Sequence, residues 1–407
     1  MEYILEVSLQ QDVQSPNSKI KGCILPWMHI FGGLTGNFYL CCHAQFQTDT
    51  TIVGTYDQAL GDIWNSEQYK KTRLDFLNNK IPSECIRACY DKEKQGSGSN
   101  RLQVNKRFSK DAYLQSQTNE DGSLDNKPTY LDIRFGNLCN FKCRMCGPDA
   151  STSWYKDTLE TGWSKTMDYY TDNKDFWTDV PQFIPDLEEV YFAGGEPFIQ
   201  EGHYKMITLL IESDYAKNIH LSYNTNLSYS KFKKYNLPEL WAHFKKVSLW
   251  PSVDGYGSRV EYSRKGLSWS KFEKHAIMFK DNITTISSVI SIYSITSMPD
   301  LILWCKRNNF NFYGTTLIQP SEQKVTCLPK ETKQDIIKLY KKFTNDYKKL
   351  LTRHDIEQIK SWLSFMVSTD DSYLLPTFKK EQERLDSLRN ESFTKTFPEF
   401  TSWYETI

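Results

Sequence analysis

The feature that most constrains this chain is a group of three cysteines within eight residues. Cys139, Cys143 and Cys146 have the spacing CxxxCxxC and directly follow a predicted strand, Tyr130 to Phe135. In α/β barrels the loops after strands build the active site, because a rigid scaffold holds them. Three thiolates at this spacing can wrap three corners of an iron-sulfur cube and leave the fourth iron open to a ligand. A zinc site is the alternative for this cysteine triplet, since CxxC pairs also bind zinc.

Length and charge limit the class of protein. The 407 residues are enough for two domains, and Lys plus Arg and Asp plus Glu both total 50, so no global field favours nucleic acid or an anionic membrane. No stretch approaches the roughly 18 apolar residues of a membrane span, and the first residues lack the basic start of a secretion signal. We therefore expect a cytoplasmic protein. Its ten cysteines then favour metal ligation or catalysis over disulfides.

Composition divides the chain into four predicted segments: a cysteine-rich domain over 1–92, a polar and turn-rich linker over 93–127, an α/β domain over 128–320 and a charged helical extension over 321–407. Short β-rich runs in the third segment alternate with spacers of helical periodicity, which predicts parallel βα units. The predicted strands are Tyr130–Phe135, Glu189–Ala193, His220–Tyr223, Val247–Val253, Ile283–Ile292 and Phe310–Ile318.

The cysteine triplet resembles the signature of the radical S-adenosylmethionine (SAM) superfamily, although Met145 stands where that family usually has an aromatic residue. The resemblance implies a partial (β/α)6 barrel in which SAM chelates the open iron of a [4Fe-4S] cluster. It also implies that an electron, from a reductant such as flavodoxin or ferredoxin, cleaves SAM to methionine and a 5′-deoxyadenosyl radical that abstracts hydrogen from the substrate. The helical extension is expected to cover part of this barrel.

Further matches to the family occur in the expected order. Gly194, Gly195 and Glu196, after the second predicted strand, resemble the GGE segment that grips the SAM amino group. Glycines allow close backbone approach, and a carboxylate accepts from an ammonium. By itself this segment would be an ordinary turn with a solvated glutamate. Segments that meet the SAM ribose and carboxylate are similar to the ends of the third and fourth strands, which carry Asn224, Asn226, Ser252 and Asp254.

Two more residues complete the implied SAM site. Arg264 resembles an arginine that pairs with the SAM carboxylate, which a planar guanidinium can do bidentately. A surface arginine on a helix is the alternative. Leu317, near the end of the sixth predicted strand, is expected to complete the adenine pocket by backbone and apolar contact.

The N-terminal cysteines form a second group. With a Gly-x4-Cys element and an Ile-Trp-Asn-Ser helix start, they resemble a SPASM or twitch domain, which normally follows the barrel but here precedes it. The resemblance implies one auxiliary [4Fe-4S] cluster, and zinc is the alternative metal. His29, Cys305 and Cys327 are expected to be packed or unassigned. The predicted ligands are Cys23, Cys41 or Cys42, Cys85 and Cys89.

Three classes of function follow from these features. The first is a radical SAM enzyme that modifies a peptide or protein side chain, as SPASM and twitch relatives often do. The second is a radical SAM dehydrogenase of a small molecule such as a sugar or aminocyclitol. The third is a zinc-stabilised binding protein without catalysis. A nucleic-acid substrate is least favoured, although residues 101–110 are basic. The sequence identifies no catalytic acid or base.

Overall fold

The structure, a computed structural model, describes residues 20–44, 52–94, 98–158 and 167–407. In these ranges the chain is a mixed α/β protein with parallel strand pairs. The strands are β1 (His29–Gly32), β2 (Asn37–Tyr39), β3 (Ile52–Thr55), β4 (Tyr130–Ile133), β5 (Lys142–Cys143), β6 (Glu189–Phe192), β7 (His220–Thr225), β8 (Lys231–Phe232), β9 (Tyr235–Asn236), β10 (Lys246–Pro251), β11 (Arg264–Lys265), β12 (Ile286–Ile290) and β13 (Phe312–Thr316).

Helices connect most of these strands and continue beyond the last one. A π-helical turn, Ile86–Tyr90, follows α3. The α-helices are α1 (Leu60–Trp64), α2 (Glu67–Leu77), α3 (Ser83–Cys85), α4 (Asp91–Lys94), α5 (Asn100–Arg107), α6 (Lys174–Asp179), α7 (Glu201–Glu212), α8 (Leu237–Trp241), α9 (Ser258–Ser263), α10 (Trp269–Met278), α11 (Met298–Arg307), α12 (Lys330–Asp346), α13 (Arg353–Ser368), α14 (Leu375–Arg389), α15 (Phe393–Thr396) and α16 (Thr401–Tyr404).

The described chain forms two units, each interrupted in sequence. The first unit comprises Met1–Gly136, Asp168–Tyr191 and Lys205–His220. The second unit comprises Asn137–Met167, Phe192–Tyr204 and Leu221–Ile407. The predicted boundaries at 92, 127 and 320 differ from this division, because segments distant in sequence pack into the same unit.

The first unit is organised around β1, whose four residues are all buried. It pairs antiparallel with β2, where Phe31 lies opposite Tyr39, and parallel with β4, where Phe31 lies opposite Asp132. The strand order is β6, β4, β1, β2, β3. Cys41 and Cys42 follow β2 shortly in the chain, and Arg134 follows β4 directly.

The structure differs from the prediction of a linker over 93–127. Residues 98–117 contain α5 and a 3-10 segment, Ser109–Gln117, and their polar side chains are bonded to the backbone of residues 21–24. Asn105 Oδ1 accepts from Ile24 N (3.0 Å), and Asn105 Nδ2 donates to Gly22 O (2.8 Å). Asn105 and Gln115 are buried, and their polar side chains satisfy backbone groups of residues 21–24 rather than facing solvent.

Three basic residues of this segment have acidic partners. Arg101 pairs with Glu93, Arg107 pairs with Glu189, and Lys110 Nζ lies 3.3 Å from Glu188 Oε2. These three charges are therefore neutralised locally.

In the second unit β12 and β13 pair in parallel over five residue pairs, from Ile286 opposite Phe312 to Ile290 opposite Thr316. Strand β10 is the neighbour of β7 and makes parallel bridges toward β12, between Ser252 and Ser287 among others. All six predicted strands are present, although most are shorter than expected. Parallel pairing places the carboxyl ends of neighbouring strands at one edge, where the candidate SAM residues lie.

Residues 321–407 are largely helical and pack into the second unit. Helix α13 begins with a capping box between Thr352 and Asp355. Its Trp362 donates from Nε1 to Gly314 O on β13 (3.1 Å). Phe393 packs against Phe378 and other aromatic residues of the second unit. No helix within the described ranges combines the length and apolarity needed to cross a bilayer.

Candidate metal and cofactor site

The cysteine triplet lies on a loop of the second unit whose backbone is held by neighbouring segments. Cys143 belongs to β5, which pairs antiparallel with β11, so Cys143 stands opposite Arg264. Ser153 Oγ donates to Cys139 O (2.7 Å), and Trp154 Nε1 donates to Cys143 O (3.0 Å). The chain itself therefore fixes the loop, which suits a site where three thiols must hold one group.

The thiols of the triplet differ in electrostatic environment. The pKa of Cys143 is lowered, mainly by a hydrogen bond with Cys146 and also by the nearby Arg264 cation. The same hydrogen bond raises the pKa of Cys146. Burial raises the pKa of Cys139 to about 12. Because thiolates are the ligand form, the Arg264 cation favours metal binding at Cys143.

The turn Gly194–Glu196 touches the residue before the first cysteine of the triplet. A Cβ on Gly195 would lie 2.2 Å from Leu138 O, closer than any side chain tolerates. Gly194 has φ of +102°, a conformation that glycine adopts readily. Glu196 N donates to Leu138 O (2.8 Å). The two glycines thus allow this turn to bond directly to the cysteine loop.

Glu196 is fully buried, unlike the solvated glutamate of an ordinary turn. Its carboxylate accepts from Thr225 Oγ1 (2.6 Å), Asn226 N (2.7 Å) and Phe198 N (3.1 Å). Burial nevertheless raises its pKa from 4.5 to about 7, against the effect of these donors. Glu196 therefore fixes the end of β7 and can hold a proton near neutral pH.

The residues after β7 connect to the cysteine loop. Asn226 Nδ2 donates to Asn140 Oδ1 (2.9 Å) and lies 4.0 Å from Cys139 Sγ. Asn226 Oδ1 accepts from Ser228 N (3.0 Å). Asn224, on the same strand, is exposed. The structure thus brings Asn226 to the triplet, whereas Asn224 faces outward.

Asp254 and Arg264 form a buried ion pair beside the triplet. Asp254 Oδ2 accepts from Arg264 Nε (2.6 Å), and Asp254 Oδ1 accepts from Val289 N (2.7 Å). Burial acts to lower the pKa of Arg264, but the charges of Asp254 and Cys143 outweigh it and the pKa is raised. Since Asp254 engages Nε, both Nη groups can offer a bidentate face to a carboxylate. This arrangement does not fit the alternative of a surface arginine.

The last two predicted SAM residues lie at strand ends. Ser252 N donates to Thr225 O (2.8 Å) just after β10. Leu317, which is buried, donates from its backbone N to Ile290 O (2.9 Å) just after β13. The structure places both residues in the second unit with the triplet.

Arg144, between two cysteines of the triplet, is a functional candidate that sequence reasoning missed. Its guanidinium is fully buried and bonds to Gln382, Asp386 and Glu391, which are 238 to 247 residues away. No spacing pattern could have revealed partners so distant. The only signal in the sequence is a charged residue inside a ligand motif.

The N-terminal cysteines converge in the first unit, and we call Cys23, Cys41, Cys85 and Cys89 the auxiliary set. Burial raises the pKa of Cys23 and of Cys41 to about 12. Burial also raises the pKa of Cys85, with further contributions from the other three thiols. All four side chains therefore lie within electrostatic range of one another.

Cys42 has different neighbours from Cys41. Its pKa is raised by burial, then by Cys41 and by Asp132, while Arg134 acts in the opposite direction. The thiols that most influence Cys85 are Cys41, Cys23 and Cys89. These electrostatic neighbours favour Cys41 as the ligand of the two.

The donor chemistry fits iron-sulfur clusters. Among the described residues, no group of three or more His, Cys, Asp or Glu side chains surrounds one ion position. Each corner of a cubic cluster takes a different cysteine, so its ligands need not share one such position. The triplet offers three thiols and leaves one corner for SAM, and the auxiliary set offers four.

Comparison with known proteins gives one family match. Residues 23–90 match the SPASM family, described as an iron-sulfur cluster-binding domain. This range includes all four cysteines of the auxiliary set.

A curated relative is the GTP 3′,8-cyclase of Sulfurimonas denitrificans. It is 27% identical over 146 residues, which are 35% of this chain and 40% of the relative. The matched part therefore spans less than half the length of that relative.

Solved structures of SuiB from Streptococcus suis are also similar. The SAM-bound form has 15% sequence identity and a TM-score of 0.38, covering 69% of this chain and 63% of SuiB. The form bound to the precursor peptide SuiA has 16% identity and a TM-score of 0.38, covering 65% and 59%. We draw nothing further from similarity at this level.

The SPASM match and the cysteine site define an iron-sulfur protein. Residues 23–90 match a SPASM iron-sulfur cluster-binding domain, so the iron-sulfur domain predicted at the N-terminal cysteines is confirmed. The SPASM match supports the resemblance to radical SAM enzymes, which use [4Fe-4S] clusters and SAM.

Proposed function

We propose that this protein cleaves SAM reductively at a [4Fe-4S] cluster held by Cys139, Cys143 and Cys146, and abstracts hydrogen from a peptide or protein side chain. The observation that carries the proposal is the convergence of the SAM residues on the triplet. Glu196 bonds to the residue before Cys139, and Arg264 pairs in register with Cys143.

When bound, the cluster and SAM supply a one-electron cleavage that yields methionine and a 5′-deoxyadenosyl group able to take hydrogen. The protein orients SAM from two sides. The Nη groups of Arg264, aimed by Asp254, bind the SAM carboxylate. Glu196 and the backbone of Gly194 and Gly195 hold the ammonium, and hydrogen bonds to Thr225 and Asn226 fix the carboxylate for that task.

Residues at the ends of the strands make the remaining contacts with SAM in this proposal. Asn226 and Ser252 meet the ribose and carboxylate, and Leu317 covers the adenine, whereas Asn224, which faces outward, is left without a SAM contact. This arrangement requires the strands from β4 to β13 to build a partial (β/α)6 barrel over about residues 128–320. The helical extension, residues 321–407, then covers part of it.

The auxiliary set holds a second [4Fe-4S] cluster in this proposal. The peptide or protein substrate rests on the resemblance, since SPASM and twitch relatives often modify such substrates, and residues 23–90 match a SPASM domain. A small redox protein such as flavodoxin or ferredoxin provides the electron.

The test is formation of 5′-deoxyadenosine from SAM and dithionite without oxygen. Wild type should form it, and protein with Cys139, Cys143 and Cys146 changed to Ala should not. Cys305→Ala is the matched control, since this cysteine is buried on α11 and should not affect product formation. No product from wild type carrying full iron would contradict the proposal and leave a binding protein.

A further inference from the structure

Arg144 is held at its side chain by the C-terminal extension. Nη1 donates to Gln382 Oε1 (2.7 Å), and Nη2 donates to Asp386 Oδ1 (2.5 Å) and Glu391 Oε2 (2.8 Å). The guanidinium stacks 3.7 Å from the ring of Tyr262. A fully buried cation needs such partners, because an unpaired buried charge is strongly destabilising.

The backbone of Arg144 is held as firmly as its side chain. Its N–H donates to Ser263 O (2.8 Å), and its carbonyl accepts from Gln323 Nε2 (3.0 Å). Cys146 N donates to Cys143 O (3.0 Å) around the same turn. The position of residue 144 therefore sets the path of the loop between the second and third cysteines of the triplet.

The two acidic partners of Arg144 also reach the strand that carries Arg264. Glu391 Oε1 accepts from Lys265 Nζ (2.9 Å), beside Arg264 on β11. Asp386 Oδ1 accepts from Tyr262 OH (2.8 Å) at the end of α9. Asp386 and Glu391 thus bond both to the cysteine loop and to the segment that aims the SAM arginine.

Helix α14 has a second attachment on the other side of Cys143. Arg389 Nε donates to Asp157 Oδ2 (2.8 Å), and Asp157 Oδ1 accepts from Lys142 Nζ (2.7 Å). The Arg389 guanidinium lies 4.6 Å from the centre of the Trp154 ring. Trp154 in turn bonds to the Cys143 carbonyl, so α14 supports the loop at two points.

We propose that α14 and the following Glu391 are a positioning element for the cluster and SAM, acting through the buried contacts of Arg144 with Asp386 and Glu391. This inference rests on the proposed function, since it concerns the same site. The effect is one of distance: the contacts of Arg144 with Asp386 and Glu391 set the spacing between the triplet cysteines and Arg264. Loss of these contacts should misplace the SAM carboxylate relative to the open iron.

The experiment compares Arg144→Lys, Arg144→Gln and Asp386→Asn with wild type after anaerobic reconstitution. We measure iron per chain, the EPR spectrum of the reduced cluster with and without SAM, and the rate of 5′-deoxyadenosine formation. Glu381→Gln is the matched control, since this carboxylate lies on the same helix and forms its ion pair with Arg384.

Asp386→Asn and Arg144→Gln should lower the rate about tenfold or more and alter the SAM-induced EPR change, because small misplacements are costly in catalysis. Arg144→Lys should retain part of the rate that Arg144→Gln loses, since lysine keeps the positive charge but not the planar guanidinium. Combining Arg144→Gln with Asp386→Asn should cost little more than the worse single change. Glu381→Gln should match wild type.

Tyr262→Phe is included because misfolding of the other variants could mimic the expected result. It keeps every charge and removes only the hydrogen bond from the Tyr262 hydroxyl to Asp386. It should shift the EPR spectrum in the same direction by a smaller amount. Folded variants with the wild-type SAM response and rate would overturn the proposal. If wild type formed no 5′-deoxyadenosine, the proposed function would fail, and iron content and EPR would still decide the positioning role.

Discussion

The two cysteine groups of this protein are built in opposite ways. The triplet occupies eight residues of one loop, and its neighbours Ser153, Trp154 and Ser263 bond directly to that loop. The auxiliary set is spread between residues 23 and 89 of the first unit: Cys41 follows β2, Cys85 ends α3, and Cys89 lies in the π-helical turn. Local chain geometry defines the first group, and tertiary folding assembles the second.

The pKa values of the thiols also differ between the two cysteine groups. In the triplet, the hydrogen bond with Cys146 and then the Arg264 cation lower the pKa of Cys143, while burial raises the pKa of Cys139 to about 12. In the auxiliary set, burial raises the pKa of all four thiols, that of Cys23 and Cys41 to about 12. The comparison teaches that one thiol of the triplet is favoured as a thiolate by its local partners, whereas no thiol of the auxiliary set is.

The largest expected effect is on formation of 5′-deoxyadenosine, which should depend on the triplet and not on the auxiliary set. Changing the auxiliary set to Ala should remove about four iron atoms per chain and leave formation of 5′-deoxyadenosine measurable. Changing the triplet should abolish that product. Iron analysis and product assay together check this, and loss of the product from folded protein without the auxiliary set would break the comparison.

The neighbouring residues Cys41 and Cys42 allow a test of which one is a ligand of the auxiliary cluster. Cys41→Ala should lose the auxiliary iron, because Cys41 lies near Cys23 and Cys85. Cys42→Ala should keep it, because Cys42 lies near Asp132 and Arg134. Iron per chain and the EPR spectrum distinguish the two variants, and equal iron loss from both would contradict the geometry.

Arg264→Lys tests the charge beside the triplet. An ammonium cannot bind a carboxylate bidentately while it also pairs with Asp254, so the affinity for SAM should fall about tenfold. Arg259→Lys is the control, since Arg259 pairs with Glu399 instead. Equilibrium binding of SAM measures both, and an unchanged affinity for Arg264→Lys would exclude its assigned role.

The smallest predicted effect is a pH dependence at Glu196, whose pKa burial raises from 4.5 to about 7. The ionised carboxylate attracts the SAM ammonium, so SAM should bind more tightly as pH rises through about 7. The same pKa shift should lower the free energy of unfolding as pH rises from about 4.5 to about 7. In this range Glu196 keeps its proton in the folded chain and releases it in the unfolded chain.

Glu196→Gln should remove both trends, and its SAM affinity should be flat across this pH range. Binding and urea unfolding at several pH values measure them. A wild-type affinity that stayed constant through pH 7 would show that Glu196 does not face the ammonium.

Sequence reasoning was strongest where one local pattern decided the outcome. The triplet and the GGE turn are short motifs, and β12 and β13 are runs whose composition favours strands. The C-terminal helices followed from periodicity. Partial barrel closure and the SAM contacts stay predictions, because they depend on strand ends meeting in space.

The misses share a physical cause. Asn105 looks like a linker residue in sequence, yet it satisfies the backbone of Gly22 and Ile24. Arg144 looks like a spacer between cysteines, yet its partners lie at the other end of the chain. Polar residues that serve distant buried groups have the same composition as solvent-exposed ones, and only the fold separates them.

The most direct test of the two-site account is EPR of the reduced protein during titration with SAM. Protein without the auxiliary set should keep a cluster whose spectrum changes as SAM binds. Protein without the triplet should keep a cluster whose spectrum does not respond. A SAM response that disappears with the auxiliary set and survives loss of the triplet would contradict the account.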